Sequence, residues 1–199
     1  MTADQTNRQG KIIILTAPSG AGKTTLARRL LHEIPQIRFS VSATTRPARA
    51  HEVHGQDYYF LSHDEFQQKI DSGAFLEWEE FYNGTRYGTL LPVVEKELEK
   101  GYFILFDVEV KGAANIKARY GRKALSVFIK PPSEAVLLDR LTRRGTENEQ
   151  TLALRLDRAR MELSYADRFD VVLVNDDLER CYRELLQNVT SFMNPQITY

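Results

Sequence analysis

The sequence has little cysteine, no long apolar run and no apolar segment near residue 1. There is one cysteine, Cys181, which excludes a disulfide within the chain and suits a reducing compartment. We expect Cys181 to pack in an amphipathic helix rather than to act as a nucleophile. No apolar run approaches the ~20 residues of a membrane span. Residues 1–10 are polar and lack the apolar segment of a secretory signal. These absences predict a cytoplasmic protein without a membrane partner.

An excess of charge of either sign is also missing. Lys and Arg total 27, Asp and Glu total 27, and the sequence pI is ≈ 6.9. Without a net basic field the chain is not expected to bind nucleic acid, so local arginines would have to hold any anionic ligand. Hydrophobic residues make up 42% of the 199 positions, an ordinary balance for a folded globular domain.

Unbroken apolar runs alternate with helical patterns along the chain. The runs are residues 11–16, 102–107, 124–129 and 171–174. Runs of this kind between helices are typical of a parallel sheet covered on both faces, so they predict an α/β fold. Residues 39–90 differ, with many aromatics and short strands, one of them predicted over 39–43. We expect 39–90 to form an inserted lobe and the arginine-rich residues 140–158 to form a second insertion.

A glycine-rich segment, "APSGAGKTT", follows the first apolar run and precedes a helical pattern. It fits the phosphate-loop motif G-x-x-x-x-G-K-[ST] at every fixed position except the first, where Ala17 replaces glycine. Gly20 and Gly22 allow backbone N–H groups to turn toward a phosphate. Lys23 can reach the β- and γ-phosphates, and the Thr24 hydroxyl is suited to Mg²⁺. The alternative, a helix cap with a chance Gly-Lys pair, does not explain the strand, glycines, lysine and threonine together.

The loop predicts a site for the phosphates of a nucleotide with Mg²⁺ as cofactor. Its predicted nucleotide-binding residues, which become ATP-binding residues under the resemblance described below, are Ala17, Pro18, Ser19, Gly20, Ala21, Gly22, Lys23, Thr24 and Thr25. A phosphate loop alone indicates only a nucleotide, so the phosphate acceptor must be inferred from other segments.

A second segment, residues 44–60, reads T-T-R-x-x-R-x-x-E-x-x-G-x-x-Y-x-F and resembles the signature of guanylate kinases. The segments "FLEWEEF", "YGT", "RLTRRGT" and "VNDD" follow in that family's order, and the resemblance covers roughly residues 11–190. It implies a P-loop core with a parallel sheet flanked by helices, a mixed α/β lobe for the nucleoside monophosphate and a helical lid. The implied reaction is ATP + GMP to ADP + GDP with Mg²⁺, with dGMP as a further acceptor.

The same resemblance assigns boundaries. The core would comprise residues 11–38, 91–139 and 159–190, the GMP-binding lobe residues 39–90 and the lid residues 140–158, after a polar tail at 1–10. Guanine offers two donors and one acceptor on its Watson–Crick edge, so a carboxylate and hydroxyls can recognise it. The GMP-binding residues implied by the resemblance are Ser42, Arg46, Arg49, Tyr58, Glu77, Tyr87, Thr89 and Asp107.

Taken alone, each of these residues can also be explained by an ordinary structural role. Arg46 and Arg49 suit bidentate binding of a phosphate, but either can also be a solvated surface charge, and the tyrosines can be core residues. His51 and His54 have the spacing of a metal pair, but no cysteine or acid cluster completes a site. We therefore expect these two histidines to lie in a surface loop.

The transferred phosphoryl group needs cations in the transition state. The resemblance implies that Lys23, Arg140, Arg144 and Arg155 are catalytic and that Asn175 contacts the adenine of ATP. Arg143 and Arg158 are expected to be solvated. Asp107 would hold Mg²⁺, directly or through water. For Glu109, two residues later, a site role and a helix-capping role remain open.

The chain departs from the family pattern at Ala17, His51 and Lys111 and by an extra residue in "FYNGTRYGT". An inactive guanylate-kinase-like protein-binding module is one alternative function, and a kinase for another small phosphorylated acceptor is a second. The presence of Lys23, Thr24 and Asp107 argues against the inactive module. The pair of Glu77 and Ser42 argues against a different acceptor.

Overall fold

A computed structural model describes residues 9–81, 83–143 and 149–194. The chain divides into two compact units, one formed by residues 1–11 and 38–104 (unit 1) and the other by residues 12–37 and 105–199 (unit 2). Within the described residues, no helix has the length and apolar character needed to cross a bilayer.

The larger sheet has five strands in the order β2-β7-β1-β8-β9. Its strands are β1 (Ile12–Thr16), β2 (Ile37–Phe39), β7 (Phe103–Asp107), β8 (Ala124–Lys130) and β9 (Val171–Val174). β1 pairs in parallel with β8, and β8 in parallel with β9. All five residues of β1 are buried, as expected for a strand covered on both faces. The predicted α/β fold is confirmed, and each predicted core strand lies within about one residue of its expected position.

Helices of unit 2 follow these strands. They are α1 (Lys23–Glu33), α4 (Val110–Tyr120), α5 (Glu134–Thr142), α6 (Glu149–Leu163) and α7 (Leu178–Met193). Leu26 and Leu30 are the buried leucines of α1, and Leu137 and Leu141 those of α5. Cys181 lies on the buried face of α7, where burial raises the pKa of its thiol to about 11. Its predicted packing role is therefore confirmed.

Unit 1 contains a four-stranded sheet in the order β4-β3-β6-β5. The strands are β3 (Ala43–Thr44), β4 (Tyr59–Phe60), β5 (Phe75–Glu80) and β6 (Arg86–Leu90), and the helices are α2 (His63–Asp71) and α3 (Leu91–Glu99). The prediction of one strand over 39–43 was wrong. β2 ends at Phe39 and β3 begins at Ala43, because the segment that looked continuous in sequence contributes to two different sheets.

Helix α2 covers one face of this sheet. Ser62 caps the helix in a capping box with Glu65, an arrangement that stabilises a helix by about 1 kcal/mol. Phe66 stacks on Phe75 with ring centroids 4.3 Å apart and belongs to a buried cluster with Ala43 and Leu90. The opposite face of the sheet is therefore the one available for polar side chains.

A β-bulge decides which side chains of β5 reach that polar face. Phe75 is paired with Leu90, but Glu77 is paired with Thr89, so Leu76 is an extra residue in the ladder. In a regular strand Phe75 and Glu77 would share a face. Because of the bulge, Phe75 packs toward α2 while Glu77 lies beside Thr89 on the other face.

Candidate functional site

The phosphate loop connects β1 to α1 in unit 2. Gly20 has φ 89° and Gly22 has φ 95°, in the left-handed region that favours glycine. Helix α1 begins at Lys23, directly after this turn, so its positive N-terminal end points into the loop. Leu137 and Leu141 of α5 lie against Gly20, at 3.2 Å and 3.3 Å from the position that a Cβ would take there. The apolar face of α5 therefore supports the loop from behind.

A cavity of about 400 Å³ opens over the loop. It is lined by every loop residue from Ala17 to Thr25 except Ala21, and by Glu109, Arg155, Arg158, Ala159 and Glu162. The Lys23 ammonium forms an ion pair with Asp107 at the end of β7. The Thr16 hydroxyl donates to the carbonyl of Val108 at 3.1 Å, which ties the ends of β1 and β7 together. A cavity over a glycine turn and a helix N-terminus, with Lys23, Arg155 and Arg158 in its lining, is suited to a polyphosphate.

Helix α6 forms one wall of the cavity. Arg155 and Ala159 are four residues apart, as are Arg158 and Glu162, so the four side chains share one helix face. The Arg158 guanidinium forms ion pairs with Glu109 and, at 3.2 Å, with Glu162. Its side chain is 41% exposed, which fits the predicted solvated position, but both ion pairs lie at the cavity wall. For Arg143, whose side chain is 78% exposed, the same prediction is confirmed.

Two acids lie beside Arg158: the role of Glu109 was left open by the sequence, and Glu162 was not among the predicted site residues. Glu109 is the N-cap residue of α4, but its side chain makes no capping hydrogen bond and pairs with Arg158 instead. Glu162 is only 7% exposed, and burial raises the pKa of its carboxyl against the opposing effect of Arg158. Its seven-residue distance from Arg155 was a helical signal that could have indicated it.

The remaining predicted residues of unit 2 take different places. Arg140 donates from Nη2 to the carbonyl of Asn175 at 2.9 Å. The Asn175 side chain donates from Nδ2 to the carbonyl of Ala21 at 2.7 Å, and the residue is 4% exposed. Neither residue lines the cavity over the loop. Arg144 lies outside the described residues.

In unit 1 the structure brings Glu77 and Thr89 together. The Thr89 hydroxyl donates to Glu77 Oε1 at 2.6 Å, and Thr89 is 2% exposed. Ser42 precedes β3, and its carbonyl accepts from the Tyr59 N–H at 2.8 Å. A carboxylate held in place by a hydroxyl on the polar face of the sheet can accept hydrogen bonds from two adjacent donors, such as those on the Watson–Crick edge of guanine.

A second cluster in unit 1 is organised by Arg46. Its two terminal nitrogens donate to both carboxylate oxygens of Glu52, each at 2.6 Å. The backbone N–H of Arg49 donates to the same carboxylate at 2.8 Å. The Arg46 guanidinium, followed by the Arg49 N–H, lowers the pKa of Glu52 to about 2. Glu52 was missing from the predicted site residues, although it is the acid of the quoted signature.

Aromatic side chains surround this arginine. The Arg46 guanidinium lies 4.8 Å from the ring centroid of Tyr58, and the Tyr58 and Tyr87 rings meet edge to face at 6.1 Å. The structure thus places Arg46, Tyr58 and Tyr87 in one cluster, with Arg49 exposed in the adjoining loop.

The two loop histidines make ordinary surface contacts. His51 and His54 are both exposed, and His54 Nδ1 accepts from the Phe60 N–H at 3.2 Å. Across residues 9–81, 83–143 and 149–194, no three His, Cys, Asp or Glu side chains are grouped to hold a metal ion. The predicted surface-loop position of both histidines is confirmed.

Comparisons with known proteins match nearly the whole chain. The sequence model described as guanylate kinase matches residues 9–192. A guanylate kinase of Chlorobium luteolum is 45% identical over 98% of this chain and 99% of its own length. One of Salinibacter ruber is 50% identical over 92% of this chain and 97% of its own. The crystal structure of guanylate kinase from Anaplasma phagocytophilum is 30% identical, covers 94% of this chain and 88% of that chain, and superposes with a TM-score of 0.72. The matched region contains both the phosphate loop of unit 2 and the carboxylate–hydroxyl pair of unit 1, and the chain belongs to the guanylate kinase family.

Proposed function

We propose that the chain is an ATP:GMP phosphotransferase, which moves the γ-phosphoryl group of ATP to GMP and releases ADP and GDP. This is the reaction of the family to which the chain belongs. The phosphate loop supports only the nucleotide donor, and a second observation supports GMP as the acceptor. Glu77 and Thr89 are hydrogen-bonded at 2.6 Å on the polar face of the unit 1 sheet. A site that pairs buried polar groups with a guanine edge rejects adenine, because adenine would leave those groups unsatisfied.

ATP would bind at the phosphate loop. The backbone N–H groups around Gly20 and Gly22 and the N-terminal end of α1 would hold the β-phosphate, and Lys23 would reach the β- and γ-phosphates. Lys23 is paired with Asp107 in the structure, so the phosphates would compete with this carboxylate for the ammonium. Before the nucleotide arrives, the ion pair with Asp107 keeps the lysine positioned at the cavity.

Magnesium would accompany ATP, and the residues present fit this ion. The exposed Thr24 hydroxyl and the Asp107 carboxylate are oxygen ligands, and magnesium in such sites is held by one or two protein oxygens, phosphates and water. When bound, the ion would neutralise part of the phosphate charge. Asp107 and Thr24 would hold it beside Lys23, at the end of the loop where α1 begins.

GMP would bind to unit 1. Glu77 would accept from the guanine N1–H and amino group, with Thr89 and Ser42 as hydroxyl contacts. Arg46, Arg49, Tyr58 and Tyr87 are proposed to bind its phosphate. Arg46 is already oriented by Glu52, so little side-chain entropy remains to be lost on binding. Asp107 remains a proposed second contact of GMP.

Charge on the transferring group would be stabilised by Lys23 and by arginines. Arg155 lies on the α6 face that lines the cavity, beside Arg158. In related phosphoryl transfer such an arginine is worth about 10³–10⁵ in kcat. We further propose catalytic roles for Arg140 and Arg144, a GMP-binding lobe over 39–90, a lid over 140–158 and a cytoplasmic location.

The test is a coupled assay of ADP release with GMP, dGMP, AMP, UMP and CMP as acceptors. GMP should be used at least about 100-fold more efficiently than AMP, judged by kcat/KM. Glu77→Gln should raise KM for GMP and leave KM for ATP unchanged. Lys23→Ala should abolish turnover with an unchanged thermal midpoint. Equal use of AMP and GMP by the unmodified chain would reject the proposed function.

A further inference from the structure

Asn175 follows the edge strand β9 and is buried beneath the phosphate loop. Only 4% of the residue is exposed. Its backbone N–H donates to the carbonyl of Lys130 at 2.8 Å, and its side-chain Nδ2 donates to the carbonyl of Ala21 at 2.7 Å. The side chain is therefore directed into the loop from below, while the cavity lies above it.

The loop needs a donor at that position. A peptide that turns its N–H toward an anion turns its carbonyl to the other side, where the carbonyl must find a partner or lose hydrogen bonding. Ala21 is the one loop residue between Ala17 and Thr25 that does not line the cavity. Its carbonyl points away from the cavity and is satisfied by the Asn175 amide.

The close packing at this contact leaves no room for a side chain at position 22. A Cβ on Gly22 would lie 2.3 Å from Asn175 Nδ2, which is closer than real Cβ contacts allow. Glycine therefore suits position 22 for two reasons: the backbone has a positive φ of 95°, and the Asn175 amide lies where a Cβ would be. Arg140 of α5 donates to the Asn175 carbonyl at 2.9 Å, so the same residue also joins the loop to α5.

We propose that Asn175 is a positioning residue of the phosphate loop, which holds the Ala21 carbonyl outward so that the loop N–H groups face the nucleotide phosphates. This differs from the adenine contact expected from the sequence, since the side chain is buried and directed at the loop backbone. The proposal rests on ATP as the ligand of the loop, but it does not depend on which acceptor receives the phosphoryl group.

The experiment compares two ligands that share phosphates but not a base. Dissociation constants of ATP and of inorganic tripolyphosphate, each with Mg²⁺, are measured by calorimetry for the unmodified chain and for Asn175→Asp. The substitution keeps the shape but places an acceptor against the Ala21 carbonyl. We expect both dissociation constants to rise by the same factor, about 10-fold or more, while KM for GMP is unchanged.

Two further variants complete the design. Asn188→Asp makes the same substitution on the exposed surface of α7 and should leave both constants unchanged. If Asn175→Asp does not fold, Asn175→Ser removes the reach of the amide without adding charge, and the same equal loss is expected. A loss of affinity for ATP alone would overturn the proposal in favour of adenine recognition, and so would unchanged affinity for both ligands. Failure of the proposed function would instead appear in the acceptor assay of the unmodified chain.

Discussion

The Thr89 hydroxyl donates to Glu77 Oε1 at 2.6 Å across the paired strands β5 and β6. The two residues are direct cross-strand neighbours only because the bulge at Leu76 shifts the register by one. The carboxylate is thereby oriented by the protein itself. A ligand that needs this orientation does not have to supply the free energy of ordering it.

Thr89→Val should impair GMP binding by releasing that orientation. The change removes the hydroxyl at nearly constant volume and so removes one charge-assisted bond to the Glu77 carboxylate, a loss of about 1.5–3 kcal/mol. We expect KM for GMP to rise by about 10-fold or more while KM for ATP stays constant, as measured by steady-state kinetics. Thr89→Ser retains the hydroxyl and is the matched control. A Thr89→Val variant with unchanged KM for GMP would contradict the role of this pair.

Deletion of Leu76 should preserve the face to which Glu77 belongs. Without the extra residue Phe75 and Glu77 become neighbours in a regular ladder, and neighbouring residues of a strand lie on opposite faces, so Glu77 stays beside Thr89. We expect KM for GMP, measured by steady-state kinetics, to stay within about 10-fold of that of the unmodified chain. Leu76→Ala keeps the bulge and is the matched control. Loss of saturation by GMP in the deletion variant alone would show that the pairing of Glu77 with Thr89 does not survive removal of the bulge.

Glu52 should confer a stability contribution that disappears in acid. Its pKa is lowered from 4.5 to about 2 by Arg46 and the Arg49 N–H, so the folded state favours the carboxylate. The contribution is complete above pH 4.5 and is lost as the pH falls toward about 2. Urea unfolding at several pH values should show Glu52→Gln less stable than the unmodified chain at pH 7, with the difference shrinking below pH 4.5. A difference that is constant with pH would contradict this origin.

Arg158→Met should make the folded state more sensitive to rising pH. Burial raises the pKa of Glu162, and Arg158 opposes that rise. In the variant the pKa of Glu162 should rise further, so the folded state holds its proton to higher pH and stability falls as pH increases above 4.5. Because the Arg158 side chain is 41% exposed, the loss at neutral pH should be only on the order of 1 kcal/mol. Adding Glu162→Gln should remove the extra pH dependence in unfolding experiments; if it persists, Glu162 is not its source.

The sequence predicted correctly those features that depend on one short segment of the chain. The phosphate loop, the core strands and the caps of α2 follow from backbone chemistry and apolar periodicity within about ten residues. It was a poor guide where a partner is distant. The pairs Arg158–Glu109 and Asn175–Ala21 join residues 49 and 154 positions apart, and nothing in either segment names the other.

The sequence by itself determined the α/β core, the glycine loop that opens α1 and the residue types of both candidate sites. Those features depend on φ preferences, hydrophobic spacing and side-chain chemistry, which are properties of short segments. The tertiary structure alone decided that Glu77 faces Thr89, that Arg46 is held by Glu52 and that Asn175 lies beneath the loop. These relationships depend on strand register and on which helix face is buried, and both are set by packing between segments far apart in the chain.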